Sequence, residues 1–295
     1  MKAAYFNLEL VASMDVTGRE AEISNILDAL TLGMQPAMLE SAEQAACQLD
    51  FACPPLESNK EASGYLWNIW EVMGNIAGSP SATIEIQKRL VVVLKCLQKC
   101  AKGDLRTWSG GGECVWSDLP LFTEVVYTFF NDPMQHGGEL TPEYERIWRN
   151  ANTFAGLCLA AGFGGPHNQI VYAIRVALEE PITDSEMHKT ECRILIACDW
   201  ITHGGKALLK WAQANIGYIV DENDPEGQYI DQGSLYHGPP TMCLGRWGYW
   251  QDRFMEIGKE GSGLGEDMRR AAREAAEQMR VIEREVGHTL SKSEV

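Results

Sequence analysis

The sequence predicts an all-α fold, an irregular multi-helix bundle of roughly ten helices with no substantial sheet. Three observations predict it. Apolar residues recur in steps of three and four along almost every periodic stretch, which places them on one face of a helix. Thr17-x-x-Glu20, Ser41-x-x-Gln44, Ser58-x-x-Glu61 and Thr183-x-x-Glu186 have the form of a capping box, in which side chains satisfy the first free backbone N–H groups. No run of strictly alternating apolar and polar residues marks a strand.

After Thr17, Ile23, Ile26, Leu27 and Leu30 form the first stripe and Gly33 ends it. Ser41 opens a second segment. After Ser58 come Ala62, Leu66, Ile69, Trp70, Met73 and Ile76, stopped by Gly78 and Pro80. From Ser81 to Cys100 the β-branched run would suit a strand, but its length favours a buried helix. Pro120 to Phe130 carries Phe122, Val125, Val126, Phe129 and Phe130. Thr141 followed by Pro142 reads as an N-cap with proline at the first helical position, and that helix stops at Gly162. Further helices are expected over Pro166–Leu178, Thr183–Ile201, Lys206–Ile216 and Arg246–Ile257. The last, about residues 264–286, repeats Met268, Ala272, Ala275, Met279, Ile282 and Val286 as a narrow heptad-like seam, suited to lying against one neighbour. Lys102–Ser117, Asn131–Leu140 and Asp221–Gly245 are expected as loops, the last as a hinge.

The chain has 295 residues, 45% of them apolar, enough to bury a core as a single helical domain over 1–295. It carries 41 Asp+Glu against 25 Lys+Arg, a net charge of −16, which repels nucleic-acid phosphate. No apolar run approaches the roughly eighteen residues of a membrane span. Met1 to Asp15 lacks the apolar core of a signal peptide, and nine cysteines are an odd number scattered through a long chain. A cytoplasmic protein is expected, with core thiols and no disulfide framework.

Several residues carry a family resemblance. They are Leu66-Trp67-Asn68-Ile69-Trp70-Glu71, Gln87 to Leu94, and Trp116-Ser117-Asp118-Leu119-Pro120. Asn152-x-Phe154-Ala155, Ala177-Leu178-Glu179, Trp200-Ile201 and Trp247-x-x-Trp250-x-x-Arg253-Phe254 continue it. Together they resemble a fungal family known as a domain of unknown function, DUF3632, over about residues 58–257. The resemblance implies a fungal, intracellular, all-helical protein. Some relatives sit beside secondary-metabolite genes, which points toward small-molecule biosynthesis. It transfers no catalytic residue, because packing residues carry it.

The motifs that suggest chemistry also have plainer readings. Cys96-x-x-x-Cys100 places two thiols on one helical face, but no second pair completes a metal site. Asp221-Glu222-Asn223-Asp224 with Asp231 has Pro225 and Glu226 where a calcium loop needs its turn, so no metal is expected. His136-Gly137-Gly138 and His203-Gly204-Gly205 lack the Gly-x-Ser-x-Gly partner of an esterase and read as loop or helix-end signals. Gly162 to His167 lacks the spacing of a phosphate loop and reads as a turn, with His167 at a helix N-terminus that favours its neutral form.

No cofactor is implied. Trp67, Trp70, Trp148, Trp200, Trp247 and Trp250 either pack a core or line a cavity for an apolar ligand. The latter supports a cofactor-free cyclase or isomerase of secondary metabolism, pericyclase-like, that holds an apolar substrate in a productive conformer. His167, His203, Asp199 and Tyr172 are its candidate polar groups. The alternative is a non-enzymatic helical interaction or accessory protein, with a homo-oligomer formed through the C-terminal helix.

Overall fold

A computed structural model describes residues 18–35, 39–100, 102–106, 112–129, 140–163, 167–182, 187–217 and 231–293. Among these the chain forms ten α-helices and one two-stranded antiparallel sheet, the expected all-α architecture. Its contacts cluster into two compact units, Met1–Phe130 with Pro142–Leu157, and Asn131–Thr141 with Cys158–Val295. The expected hinge stretch Asp221–Gly245 falls inside the second unit, and its residues 221–230 lie outside the described ones.

The first unit begins with α1 (Glu20–Gly33), α2 (Leu39–Ala52), α3 (Asn59–Gly78) and α4 (Ile84–Gln98). α1 packs on α2 and α3, and α2 on α4. The stripes are the predicted ones: Ile23, Ile26, Leu27 and Leu30 of α1 and Leu66, Ile69, Trp70, Met73 and Ile76 of α3 are all buried. The capping boxes fare less well. Ser41 lies inside α2, where its hydroxyl accepts from Arg89 Nη2 at 2.8 Å. Ser58 stands at the N-cap of α3 without a side-chain capping bond. Thr17, Thr183 and Glu186 lie outside the described residues. A side-chain cap is supplied by Thr83, whose Oγ1 accepts from the Ile86 N–H at 3.4 Å.

The expected loop Lys102–Ser117 holds a small hairpin instead. β1 (Gly103–Arg106) pairs with β2 (Gly112–Val115), Gly103 opposite Val115 and Arg106 opposite Gly112. Four residues per strand are too few for alternation to show in the sequence. The hairpin is anchored by Leu105 and Val115, which are buried.

The Trp116–Pro120 stretch then turns a tight corner into α5 (Phe122–Thr128). Trp116, Leu119 and Leu121 have φ of 71°, 51° and 64°, a left-handed conformation that costs each non-glycine residue about 1–2 kcal/mol. Named contacts oppose that strain. The Trp116 Nε1–H donates to Asp50 Oδ1 at 2.6 Å, and the Trp70 Nε1–H to the Pro120 carbonyl at 2.7 Å. The Trp70 ring meets Trp116 and Phe122 edge-on, centroids 6.2 and 5.3 Å apart. α6 (Pro142–Ala160) starts at the predicted proline. Asn150 Nδ2 donates to the Ser79 carbonyl at 2.7 Å, and Gln87 Nε2 donates to the Ala77 and Asn150 carbonyls at 2.8 Å each.

The second unit holds α7 (His167–Leu178), α8 (Met187–Ala214), α9 (Leu244–Ile257) and α10 (Glu266–Ser293). α8 packs on α7, α9 and α10, and α9 packs on α10. The predicted pair of helices over Thr183–Ile201 and Lys206–Ile216 is one helix. Gly204 and Gly205 are buried inside it and do not close it. A Cβ on Gly205 would stand 2.6 Å from Ile282 Cδ1 of α10. The glycine is there for close helix approach, which outweighs its cost of about 1 kcal/mol in a helix interior.

The seam of α10 faces inward. Met268, Ala272, Ala275, Met279 and Ile282 are buried where α10 meets α8 and α9. The surface expected for a homo-oligomer is therefore occupied within the chain. On the outer face Arg269, Arg270, Arg273, Arg280 and Arg284 pair with Glu266, Asp267, Glu274 and Glu277, mostly at spacings of three and seven. Exposed pairs of this kind contribute about 0–1 kcal/mol each.

Candidate functional site

One consequence of an unbroken α8 is a row of side chains that the sequence reading had divided. Thr202, His203, Lys206, Ala207, Lys210, Trp211 and Ala214 recur in steps of one, three and four, so they share one broad face of the helix. With them stand Gln278 and Ile282 of α10, and Leu159, Ala160 and Gly162. Together they bound a half-open groove of about 750 Å³, within the size range of small-molecule sites. All these residues belong to the second unit.

The groove has an apolar floor and a polar rim. Lys206 Nζ pairs with Glu285 at 2.7 Å. The Thr202 hydroxyl donates to the Cys198 carbonyl at 2.9 Å, leaving its oxygen lone pairs to accept. His203 is half-buried. An imidazole can take or give a proton near neutral pH, a hydroxyl oxygen can accept a hydrogen bond, and an ammonium can hold an anion.

Of the nominated polar groups, the groove contains His203. Asp199 sits on α8 outside the lining. Tyr172, on α7, is stacked under the Arg175 guanidinium, 4.8 Å from the ring centroid. His167 opens α7, but its side chain lies outside the described residues.

None of the six nominated tryptophans lines the groove. Trp67, Trp70 and Trp148 belong to the first unit and Trp200, Trp247 and Trp250 to the second. Five are buried and Trp67 is half-buried. Trp247 Nε1–H donates to Glu283 Oε1 at 2.7 Å. Trp211, not among the six, is the indole in the groove. Lys206, Lys210 and Trp211 were not nominated, and the glycine pair was read as dividing them from the preceding helix. Their signal was the His203-x-x-Lys206-x-x-x-Lys210-Trp211 spacing, read across that pair.

A second polar centre in this unit is fully enclosed. Glu179 and Arg246 are both 0% exposed and pair bidentately. Glu179 Oε1 accepts from Arg246 Nε and Trp250 Nε1, both at 2.7 Å. Its Oε2 accepts from Arg246 Nη2 and the Gly233 N–H, both at 2.9 Å. Arg246 Nη2 also donates to the Asp231 carbonyl at 2.6 Å, and the guanidinium lies 5.1 Å from the Tyr236 ring centroid. A Cβ on Gly233 would stand 2.6 Å from the Glu179 carbonyl oxygen, so glycine is required for this approach. With two donors on each carboxylate oxygen, Glu179 has little left for a substrate, and the centre is a clasp on residues 231–246.

Cys243 lies beside the clasp, at the N-cap of α9. Burial alone would raise its thiol pKa. Hydrogen bonds from the Tyr236 hydroxyl, the Arg246 N–H, the Thr241 side chain and the Gly245 N–H outweigh that and lower it. Burial pushes Cys53 up to about 11 and raises Cys96, Cys100 and Cys158 as well. The thiolate is the nucleophile, so iodoacetamide at neutral pH is expected to label Cys243 before those four. The labelling rate at Cys243 should also level off at a lower pH than for an ordinary thiol. Peptide mapping over a pH series reads both, and faster labelling of Cys96 or Cys158 would contradict the ordering.

Among the described residues no group of three or more His, Cys, Asp or Glu could hold a metal ion, and no helix is long and apolar enough to cross a membrane. All nine cysteines are free thiols. The fold and the groove define an all-α protein with a half-open small-molecule-sized site on its second unit. The model of a family described as a protein of unknown function, DUF3632, matches residues 70–254, more than half of the chain. The chain belongs to that family. No curated protein and no solved structure matches it.

Proposed function

We propose that this chain binds an apolar small molecule in the groove between α8 and α10 and acts on it as a cofactor-free cyclase or isomerase. The observation that supports this reading is the meeting of His203 and Trp211 in a groove of about 750 Å³. Apolar walls hold a flexible substrate in a reactive conformer, which can supply several kcal/mol of a barrier. His203 moves a proton at the reacting centre, the general acid–base role open to a histidine. The setting we propose is the cytosol of a fungus and its secondary metabolism. The excess of 41 acidic over 25 basic residues disfavours nucleic acid as a partner.

The test separates binding from chemistry. The neutral fluorophore N-phenyl-1-naphthylamine should bind the purified protein, and Ala207→Trp, which fills the groove, should abolish that binding. His203→Ala should keep it. In a gene deletion complemented with His203→Ala, the metabolite profile should match the deletion and not the wild type. If Ala207→Trp leaves probe binding intact, the groove is not the site. If His203→Ala restores the wild-type profile, His203 carries no chemistry.

A second reading, a non-enzymatic helical interaction protein, draws on the burial of five of the six nominated tryptophans. It would present the Arg/Glu face of α10 to a partner, since the apolar seam is turned inward. Under that reading the deletion leaves small-molecule profiles unchanged.

A further inference from the structure

The charge of the groove is opposite to that of the chain. The protein carries −16 overall, yet Lys206 and Lys210 line the groove and no Asp or Glu among the described residues does. The two lysines are one turn apart on α8, so both ammonium groups reach the same side of the site. They do not have the same surroundings. Lys206 is engaged by Glu285 at 2.7 Å. Lys210 has no ion pair among the described residues. Ala207, Trp211, Ala214, Leu159 and Ile282 line the same groove, and Leu159 and Ile282 are buried, an apolar bed that keeps water from one side of a bound anion. A charge-assisted contact is stronger there than at a fully solvated surface.

We infer that the groove selects an apolar organic anion, an aromatic or aliphatic body bearing one acidic head, with the head on Lys210 and the body against Trp211 and Ile282. This assignment rests on the groove being the ligand site. Lys206, held by Glu285, flanks the head, and the Thr202 oxygen and Gln278 amide stand ready for a further polar group. The net charge of −16 then works in favour of selectivity, because it disfavours adsorption of the same anion elsewhere at long range.

Two probes with the same aromatic body separate head from body. 8-Anilinonaphthalene-1-sulfonate carries an anionic head, and N-phenyl-1-naphthylamine lacks it. The full chain should bind the sulfonate about fivefold tighter than the neutral probe, the scale of one partly exposed ion pair. Added salt should erode that preference. Lys210→Gln should bring the two affinities together while leaving the neutral probe unchanged, and Lys210→Arg should restore the preference. Ala207→Trp should abolish binding of both. Lys210 is exposed, so its variants are expected to fold, and matching melting curves check that. Suppose both probes bind and Ala207→Trp blocks them, but the sulfonate is not preferred or Lys210→Gln leaves the preference intact. Then the anion assignment is overturned and the groove survives as an apolar site. If neither probe binds, or Ala207→Trp blocks neither, the groove reading and this assignment fall together.

Discussion

Glu179→Ala is expected to lower the unfolding free energy of the second unit by about 3–5 kcal/mol, the scale of removing one half of a buried ion pair. The loss has a definite origin. Arg246 would remain at 0% exposure with an uncompensated charge. The Trp250 and Gly233 N–H groups would lose their acceptor, each a desolvation cost of about 1–3 kcal/mol if water cannot enter. Total stabilities are only about 5–15 kcal/mol, so the unit would be marginal. A fall of roughly 6–20 °C in its melting temperature follows. Glu179→Gln keeps an acceptor oxygen and should fall less. Combining Glu179→Leu with Arg246→Met removes both charges, so the double variant should lose less than the two single changes added together. Melting Glu179→Ala beside the wild type measures this, and coincident curves would mean the clasp does not hold residues 231–246.

Truncation after Gly265 should unfold the second unit outright. Met268, Met279 and Ile282 are each at or below 8% exposure, and burying such side chains contributes about 1.5–3 kcal/mol apiece. Their removal would also open the faces of α8 and α9 they cover, including Trp247, whose N–H would lose Glu283. The sum is comparable with the whole stability of a domain. Circular dichroism and proteolysis of the truncated chain should show lost helix and rapid cleavage within 187–257. A truncated chain that stays folded and merely loses self-association would show instead that the seam is an intermolecular surface. Apolar periodicity alone does not distinguish these cases, because an internal helix and a coiled-coil partner present the same stripe.

How much of this was legible in the sequence follows from how local each determinant is. The stripes of α1 and α3 were readable because three- and four-residue spacing is a property of the helix itself. Proline at the start of α6 was readable for the same reason: it needs only its own fixed φ. The capping boxes misled at Ser41, since the same pattern fits a serine inside a helix that bonds a distant arginine, here Arg89. The hairpin at 103–115 was too short to carry a period. Glu179 and Trp250 stood out only as parts of the family resemblance, and their pairing was hidden because the partners Gly233, Arg246 and Trp250 lie 54 to 71 positions from Glu179.

The groove shows the same division most clearly. Composition and periodicity by themselves determined an all-α chain with a net acidic charge and most residues of the buried stripes, because these depend on neighbours within one or two turns. They also placed His203 on the short list. Only the tertiary structure decided that Gly204 and Gly205 continue α8. Glycine ends a helix when the next residues turn away, and it stays inside one when another helix must come close, and that choice belongs to Ile282 on α10. The same contact brought His203, Lys206, Lys210 and Trp211 onto one face. The six nominated tryptophans stand outside the groove, since a large apolar side chain is drawn to an interface that excludes water around it.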